Sequence, residues 1–268
     1  MLHGYWLRTL GVPGAYDLQD VTAEGLAAFF AGLRARGYVG GNVTVPHKVA
    51  AMEFVARVDE TARAIGAVNT IWLDDGALVG GNTDAAGFMA NLDDQAPGWD
   101  RAGRVAVVLG AGGAARAAAY GLLGRGMTVR LANRTARHAE ALARHFGAGV
   151  TAHGMAAVPG LLAGADLLVN TTSLGMAGEP PLATGLGALR PGAVVCDVVY
   201  VPLETRLLRE ARARGHRTVD GLGMLLHQAV AGFSRWFGAV PAVTAELRGL
   251  VEADIRAKSV AALSGAAR

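Results

Sequence analysis

Cysteine is nearly missing from this sequence: Cys196 is the only one in 268 residues. It can neither close a disulfide within the chain nor build a thiolate metal cluster, so no metal site is expected and a reducing compartment, the cytoplasm, is the expected location. Lysine is almost as scarce, since Lys48 and Lys258 are the only lysines among 25 basic residues. Where arginine is the default cation, an isolated lysine points to a need for an amine that can exchange its proton. Long apolar runs are missing too, although hydrophobic residues make up 52% and the mean hydropathy is +0.31. No stretch approaches the roughly 18 uninterrupted apolar residues of a membrane span. The longest candidate, Val105–Ala115, is bounded by Arg104 and Arg116 and broken by glycine. The opening Met1-Leu2-His3-Gly4-Tyr5-Trp6 has neither the basic head nor the apolar run of a signal peptide.

What is abundant is glycine, 38 residues without a collagen period, about twice the usual ~7%. Such a content serves turns and close backbone approaches. The net charge of +3 hides an asymmetry: residues 1–100 hold 12 acids and 6 bases, residues 101–268 hold 10 acids and 19 bases. The arginines of the second part are dispersed between apolar stretches instead of clustered with aromatics, which favours a phosphate-bearing small molecule over nucleic acid as the partner.

From residue 105 onwards, apolar runs alternate with helical segments. Strands are predicted at Val105–Leu109, Thr128–Ala132, Gly149–Ala152, Asp166–Asn170, Val194–Val198 and Thr218–Val219, with helices at Ala114–Leu123, Ala136–Phe146, Met155–Leu162 and Leu203–Arg214 between them. Continuous apolar strands separated by helices indicate a doubly wound α/β unit whose parallel sheet is covered on both faces. The first part is mixed α/β. A helix is expected over Tyr5–Leu10, a strand near Tyr16–Leu18, and a helix opened by Thr22 and closed by Gly37. A strand over Val39–Val43 follows, then Val68–Leu73 and Leu78–Val79 joined by the Asp74-Asp75-Gly76 turn. The segments Leu222–Phe237 and Thr244–Lys258 are expected to be helical, and Ser264–Arg268 to fray.

The run Val105–Leu109 leads straight into Gly110-Ala111-Gly112-Gly113-Ala114-Ala115 and a helix. This matches the dinucleotide-binding turn: Gly110 permits the bend, Gly112 lets backbone reach a pyrophosphate, and the small Ala115 allows close helix packing. An NAD site would carry an acid at the end of the next strand for the ribose 2′-hydroxyl. Here Asn133-Arg134-Thr135 and then Arg137 stand in that place, and a guanidinium pairs instead with the 2′-phosphate of NADP.

The first part supplies reactive candidates. Asn42-Val43-Thr44-Val45-Pro46-His47-Lys48 alternates polar residues at a strand end before a proline turn, with His47 read as a turn residue. Gly66-Ala67-Val68-Asn69-Thr70 and Gly80-Gly81-Asn82-Thr83-Asp84 place further compact polar groups in loops, a set suited to a small polyhydroxylated ligand. The residues alone leave a second reading open, with Asn82-Thr83-Asp84 capping a helix over Ala85–Leu92 and Lys48 a surface charge.

Seven motifs in order, Asn42-x-Thr44-x-Pro46-x-Lys48, Gly66-Ala67-Val68-Asn69-Thr70, Asn82-Thr83-Asp84-x-x-Gly87, Gly110-Ala111-Gly112-Gly113-Ala114, Asn133-Arg134-Thr135, Asn170-Thr171-Thr172-x-x-Gly175-Met176 and Asp220-Gly221-x-Gly223-Met224-x-x-x-Gln228-Ala229, resemble the shikimate dehydrogenase family over nearly the whole chain. The resemblance implies an N-terminal substrate domain, residues 1–83 completed by helices in 222–268, and a Rossmann-like NADP domain, residues 84–221, with the active site in the cleft between them. It implies NADP-dependent interconversion of 3-dehydroshikimate and shikimate, with Lys48 and Asp84 as the catalytic pair. Thr44, Asn69, Asp84, Tyr200 and Gln228 would contact substrate. Gly110, Ala111, Gly112, Gly113, Ala114, Asn133, Arg134, Thr135, Arg137, Val198 and Gly221 would line the cofactor.

The resemblance departs from the family at the N-terminus. Members begin with a strand and a Ser-x-Ser loop that grips the substrate carboxylate, whereas this sequence starts at the helix that follows, so weaker substrate binding is expected. Two other readings stand beside the main one: a quinate/shikimate dehydrogenase of the same family, which Asn133-Arg134-Thr135 argues against because such enzymes usually prefer NAD, and a non-catalytic NADP binder, which the pairing of Lys48 with Asp84 argues against. No membrane or nucleic-acid partner is expected, and a homodimer is compatible with the sequence.

Overall fold

The computed structural model describes residues 1–100 and 105–265. Arg104 and the last three residues of the expected frayed end, 266–268, lie outside the described residues. The first part contains α1 (Leu2–Thr9), α2 (Leu26–Gly32), β1 (Gly40–Asn42), β2 (Arg57–Val58), α3 (Glu60–Ile65), β3 (Thr70–Asp74), β4 (Ala77–Gly81) and α4 (Asp84–Gln95). The second contains β5 (Val105–Leu109), α5 (Gly113–Gly124), β6 (Thr128–Asn133), α6 (Ala136–Phe146), β7 (Val150–Gly154), α7 (Val158–Leu162), β8 (Leu167–Asn170), β9 (Val194–Asp197), α8 (Arg206–Ala213) and β10 (Arg217–Val219). Two helices close the chain, α9 (Leu222–Phe237) and α10 (Ala245–Gly265).

Six strands form a parallel sheet in the order β10-β9-β8-β5-β6-β7. The chain winds outward from β5 to β7, returns to β8, and winds outward again, which is the doubly wound pattern with its reversal between β5 and β8. Strand alternation assigns the side chains. Ala106, Val108, Val129, Leu131, Leu167, Val169, Val194 and Cys196 pack on one face with Phe88, Leu92, Ala118, Leu122 and Leu142, while Val107, Leu109, Leu168 and Val195 pack on the other with Leu162, Leu207 and Leu208. Both faces are buried over the inner strands β5, β8 and β9, which are accordingly apolar at consecutive positions.

The smaller sheet has the order β1-β3-β4-β2 and is mixed, since β2 runs parallel to β4 and the other pairs are antiparallel. Asp75 and Gly76, both with positive φ (49° and 77°), make the two-residue hairpin turn between β3 and β4. One side is covered by Leu26, Phe30, Leu33, Val43, Ala51, Ala62, Val68 and Ile71. On the other side α9 approaches so closely that a Cβ on Gly40 would lie 2.3 Å from Trp236 Nε1.

The expected strand at Tyr16–Leu18 does not form. Tyr16 is held by its side chain, with its ring 3.9 Å from that of His3 and its hydroxyl donating to Asn42 Oδ1 at 2.9 Å, and Leu18 is exposed. The helix expected from Thr22 to Gly37 is shortened to α2, because Thr22 Oγ1 takes the Gly25 N–H into a local turn. Helix α3 was unexpected, although its signals are plain: Asp59 accepts from Ala62 N–H at 2.6 Å, and Gly66 closes it at φ 74°. The expected helix at Met155–Leu162 begins as a 3₁₀ turn before α7, and α10 runs past Ser264 to Gly265.

Candidate active site

Lys48 follows the proline turn after β1, and Asp84 opens α4. Their side chains meet at 2.6 Å between Nζ and Oδ2, with Lys48 15% and Asp84 5% exposed. Asp84 thus belongs to the first turn of α4 instead of capping it. The Asn82 side chain accepts from the Asp84 N–H at 3.0 Å, and Thr83, at the N-cap position, makes no side-chain cap. Asn69, in the loop between α3 and β3, binds the second carboxylate oxygen through Nδ2 at 2.8 Å and also reaches Thr83 Oγ1 at 2.9 Å and Gln228 Oε1 at 3.2 Å. Its own Oδ1 accepts from the Thr83 N–H and the Thr70 hydroxyl, both at 2.8 Å. The Val68 N–H donates to the Lys48 carbonyl at 2.7 Å, tying the two loops.

Gln228 reaches this cluster because α9 crosses α4 at a glycine: a Cβ on Gly87 would lie 2.7 Å from Gln228 Cβ. The structure therefore brings together Lys48, Asp84, Asn69 and Gln228 from four elements. Thr44 is exposed at the end of β1. Tyr200 packs against the aliphatic cluster of Leu222 and Leu226, where burial raises its hydroxyl above the usual phenol range; no hydrogen bond joins it to the Lys48 cluster. His47 sits in its turn, with Nε2 2.7 Å from the Val21 carbonyl. Thr70, Asn82 and Thr83 complete the cluster. They stood inside quoted motifs, and the signal that could have singled them out is the density of short amide and hydroxyl side chains at loop-to-element junctions.

The dinucleotide turn lies at the reversal point of the large sheet. Gly110 has φ 117°, and a Cβ there would lie 2.5 Å from Thr171 Oγ1 at the end of β8. Gly112 faces open space, and α5 begins after it without a side-chain cap, which leaves its first N–H groups free for an anion. Ala115 is fully buried beneath. At Gly113 a Cβ would lie 3.1 Å from Lys48 Cδ, so the stem of the lysine rests on the first residue of α5. After β6, Asn133 Nδ2 donates to the Thr135 carbonyl at 3.0 Å, and the exposed Arg134 and Arg137 flank the start of α6. At Gly221 a Cβ would lie 2.2 Å from the Val198 carbonyl oxygen, so these two segments meet through backbone. An open glycine turn, an uncapped helix start and guanidinium groups in place of an acid fit a dinucleotide with a 2′-phosphate.

Comparison with known proteins agrees along the chain. Residues 1–71 match the shikimate dehydrogenase substrate binding domain, residues 95–176 the shikimate/quinate 5-dehydrogenase family, and residues 221–245 the shikimate 5′-dehydrogenase C-terminal domain. The sequence is 58% identical over 259 residues to the NADP(+)-dependent shikimate dehydrogenase of Azorhizobium caulinodans, covering 96% of this chain and 92% of that protein. Among solved structures, the Thermus thermophilus shikimate 5-dehydrogenase in complex with NADP(H) and shikimate superposes with a TM-score of 0.82 at 35% identity, covering 95% of this chain and 92% of that one. The Corynebacterium glutamicum quinate dehydrogenase in complex with NAD gives a TM-score of 0.82 at 32% identity, covering 92% and 91%. Among the described residues no helix is long and apolar enough to cross a membrane.

Proposed function

The chain belongs to the shikimate dehydrogenase family, and from that premise we infer that it interconverts 3-dehydroshikimate and shikimate with NADP(H). The observation that carries the assignment of residues is the position of Lys48: its amine is 2.6 Å from Asp84 while its stem lies on the first residue of α5. NADPH, when bound, supplies the hydride that reduces the ketone. Lys48 Nζ gives a proton to the oxygen that becomes an alkoxide, and in the oxidising direction takes it back. Asp84 holds Nζ in place and offers an acceptor to a substrate hydroxyl, with its other oxygen fixed by Asn69. Asn69 and Gln228, joined at 3.2 Å, bind further hydroxyls, and Thr44 and Tyr200 would supply additional substrate contacts.

Gly110, Ala111, Gly112, Gly113 and Ala114 would hold the pyrophosphate through backbone N–H groups. Asn133, Arg134, Thr135 and Arg137 would take the phosphorylated adenosine, and Val198 and Gly221 the opposite end. In this reading residues 1–83 with 222–268 form the substrate domain and residues 84–221 the NADP domain. The protein acts in the cytoplasm, as its solitary buried Cys196 suits. The test is the rate of NADPH or NADH formation with shikimate and with quinate. Shikimate with NADP should be the best pair; a better rate for quinate with NAD would overturn the substrate and cofactor assignment together.

A further inference from the structure

Three buried polar side chains lie at the carboxyl end of the large sheet, the end that carries the dinucleotide turn: Asn170 at the end of β8, Asp197 beside it at the end of β9, and Thr205 capping α8. Asp197 Oδ1 accepts from Asn170 Nδ2 at 2.9 Å and from the Val199 N–H at 3.1 Å, and Oδ2 accepts from the Thr205 hydroxyl at 2.7 Å. Asn170 uses its remaining capacity on the next loop. Its Oδ1 accepts from the Thr172 N–H and hydroxyl at 3.0 and 2.7 Å, and Nδ2 also donates to the Leu174 carbonyl at 3.0 Å. Burying a carboxylate carries a desolvation cost that its hydrogen bonds offset only in part. Here those bonds fix three backbone segments at once.

Two of these segments touch the dinucleotide turn and its neighbour. Thr171 lies against Gly110, and the Val198 and Val199 carbonyls lie against Gly221. With the phosphorylated adenosine over β6 and the pyrophosphate at the α5 start, a dinucleotide spanning the reversal point must lay its other half over β8 and β9. We propose that Asp197, with Asn170 and Thr205, is a positioning unit for the nicotinamide end of the cofactor, setting where Thr171–Thr172 and Val198–Val199 stand and hence the hydride-transfer geometry. The proposal rests on the NADP-dependent reading above.

Thr205→Val removes the hydroxyl with little change of shape, and Thr205→Ser keeps it. In the full chain, Thr205→Val should lower kcat by about ten- to a hundredfold, the scale expected when a reacting group is displaced by a fraction of an ångström to 1 Å. The primary isotope effect with shikimate deuterated at C3, the carbon that becomes the ketone, should rise. Binding of 2′,5′-ADP, which reports only the adenosine half, should stay within about twofold, and Thr205→Ser should restore kcat. Because Thr205 also caps α8, Asp197→Asn serves as the second variant if Thr205→Val does not fold, and should shift kcat and the isotope effect in the same sense. Unchanged kcat and isotope effect, a Thr205→Ser protein as slow as Thr205→Val, or 2′,5′-ADP binding lost in step with kcat would each overturn the positioning role. A wild-type chain that binds 2′,5′-ADP but does not oxidise shikimate would instead overturn the reading of function.

Discussion

The two sheets are held together by different forces. Around the six-stranded sheet both faces are packed mainly with aliphatic side chains, and the buried polar groups Asp166, Asn170 and Asp197 stand at strand ends. The four-stranded sheet has strands of two to five residues and one apolar cover. Much of its remaining cohesion comes from Asn42, Asn69, Thr70, Asn82 and Thr83, whose hydrogen bonds join segments far apart in the chain. Apolar burial is non-directional and tolerates repacking, whereas an amide network fixes positions and fails when one member is lost. The first half of the molecule is therefore built for placing groups, the second for rigidity.

The sharpest way to break this comparison is to cut each half by one side chain. Leu131→Ala in the centre of the large sheet should cost about 2–5 kcal/mol of stability, read as a lower denaturation midpoint, because the fully buried site cannot collapse around the cavity. The folded fraction should retain its chemistry. Lys48→Ala should strike the chemistry instead, lowering turnover by about a hundredfold or more with NADP affinity almost unchanged, since a general acid acts mainly in the transition state. Turnover near that of the wild type would remove Lys48 from the chemistry.

A smaller effect is expected in the nucleotide half when binding, not packing, is altered. Arg134 is exposed, so its loss should leave stability alone. Arg134→Asp should weaken NADP binding by about ten- to a hundredfold, the worth of a charge-assisted bond, and improve NAD by supplying a ribose acceptor. The ratio of kcat/KM for the two cofactors is the measurement. If it does not move, Arg134 is only a solvated charge.

The same contrast explains what could be read from the sequence. Strands such as Val105–Leu109 and the helix Ala136–Phe146 coincide with expectation because consecutive apolar positions and a local glycine turn carry their own signal. The cluster of Lys48, Asp84, Asn69 and Gln228 was legible only through motif resemblance. Nothing local says that residues up to 159 positions apart share one hydrogen-bond network. Of the Asp197–Asn170–Thr205 unit only Asn170 stood in a recognised motif, and its link to Asp197 and Thr205 was not legible, since a single acid at the end of an apolar strand looks like the start of a loop. Tyr16–Leu18 was misread because a tyrosine pinned by His3 and Asn42 has the composition of a strand and none of its pairing.

The last effect, nearly silent in the intact protein, is a pH dependence of opposite sign in the two halves. Burial pushes Asp197 up from 3.8 to about 6, against the hydrogen bonds it accepts. A raised folded-state value means that its contribution to stability is full below about pH 4 and is lost as pH rises through 6. Burial pushes His3 on α1 down from 6.5 to about 4. A depressed value means that its contribution is full above about pH 6.5 and is lost as pH falls through 4. Each difference of roughly two units corresponds to something on the order of 3 kcal/mol, so between about pH 4 and 6 the two slopes nearly cancel in the intact protein. Removing one exposes the other. The quantity to follow is the denaturation midpoint of each variant minus that of the wild type, which cancels the titration of all other groups. For Asp197→Asn this difference is the lost Asp197 contribution, which is largest in acid, so it should fall as the solution is acidified. For His3→Gln it is the lost His3 contribution, which vanishes in acid, so it should rise on acidification. If both differences move in the same direction with pH, then at least one of the two groups does not feel the burial that its surroundings impose, and the opposition between the halves does not extend to their electrostatics.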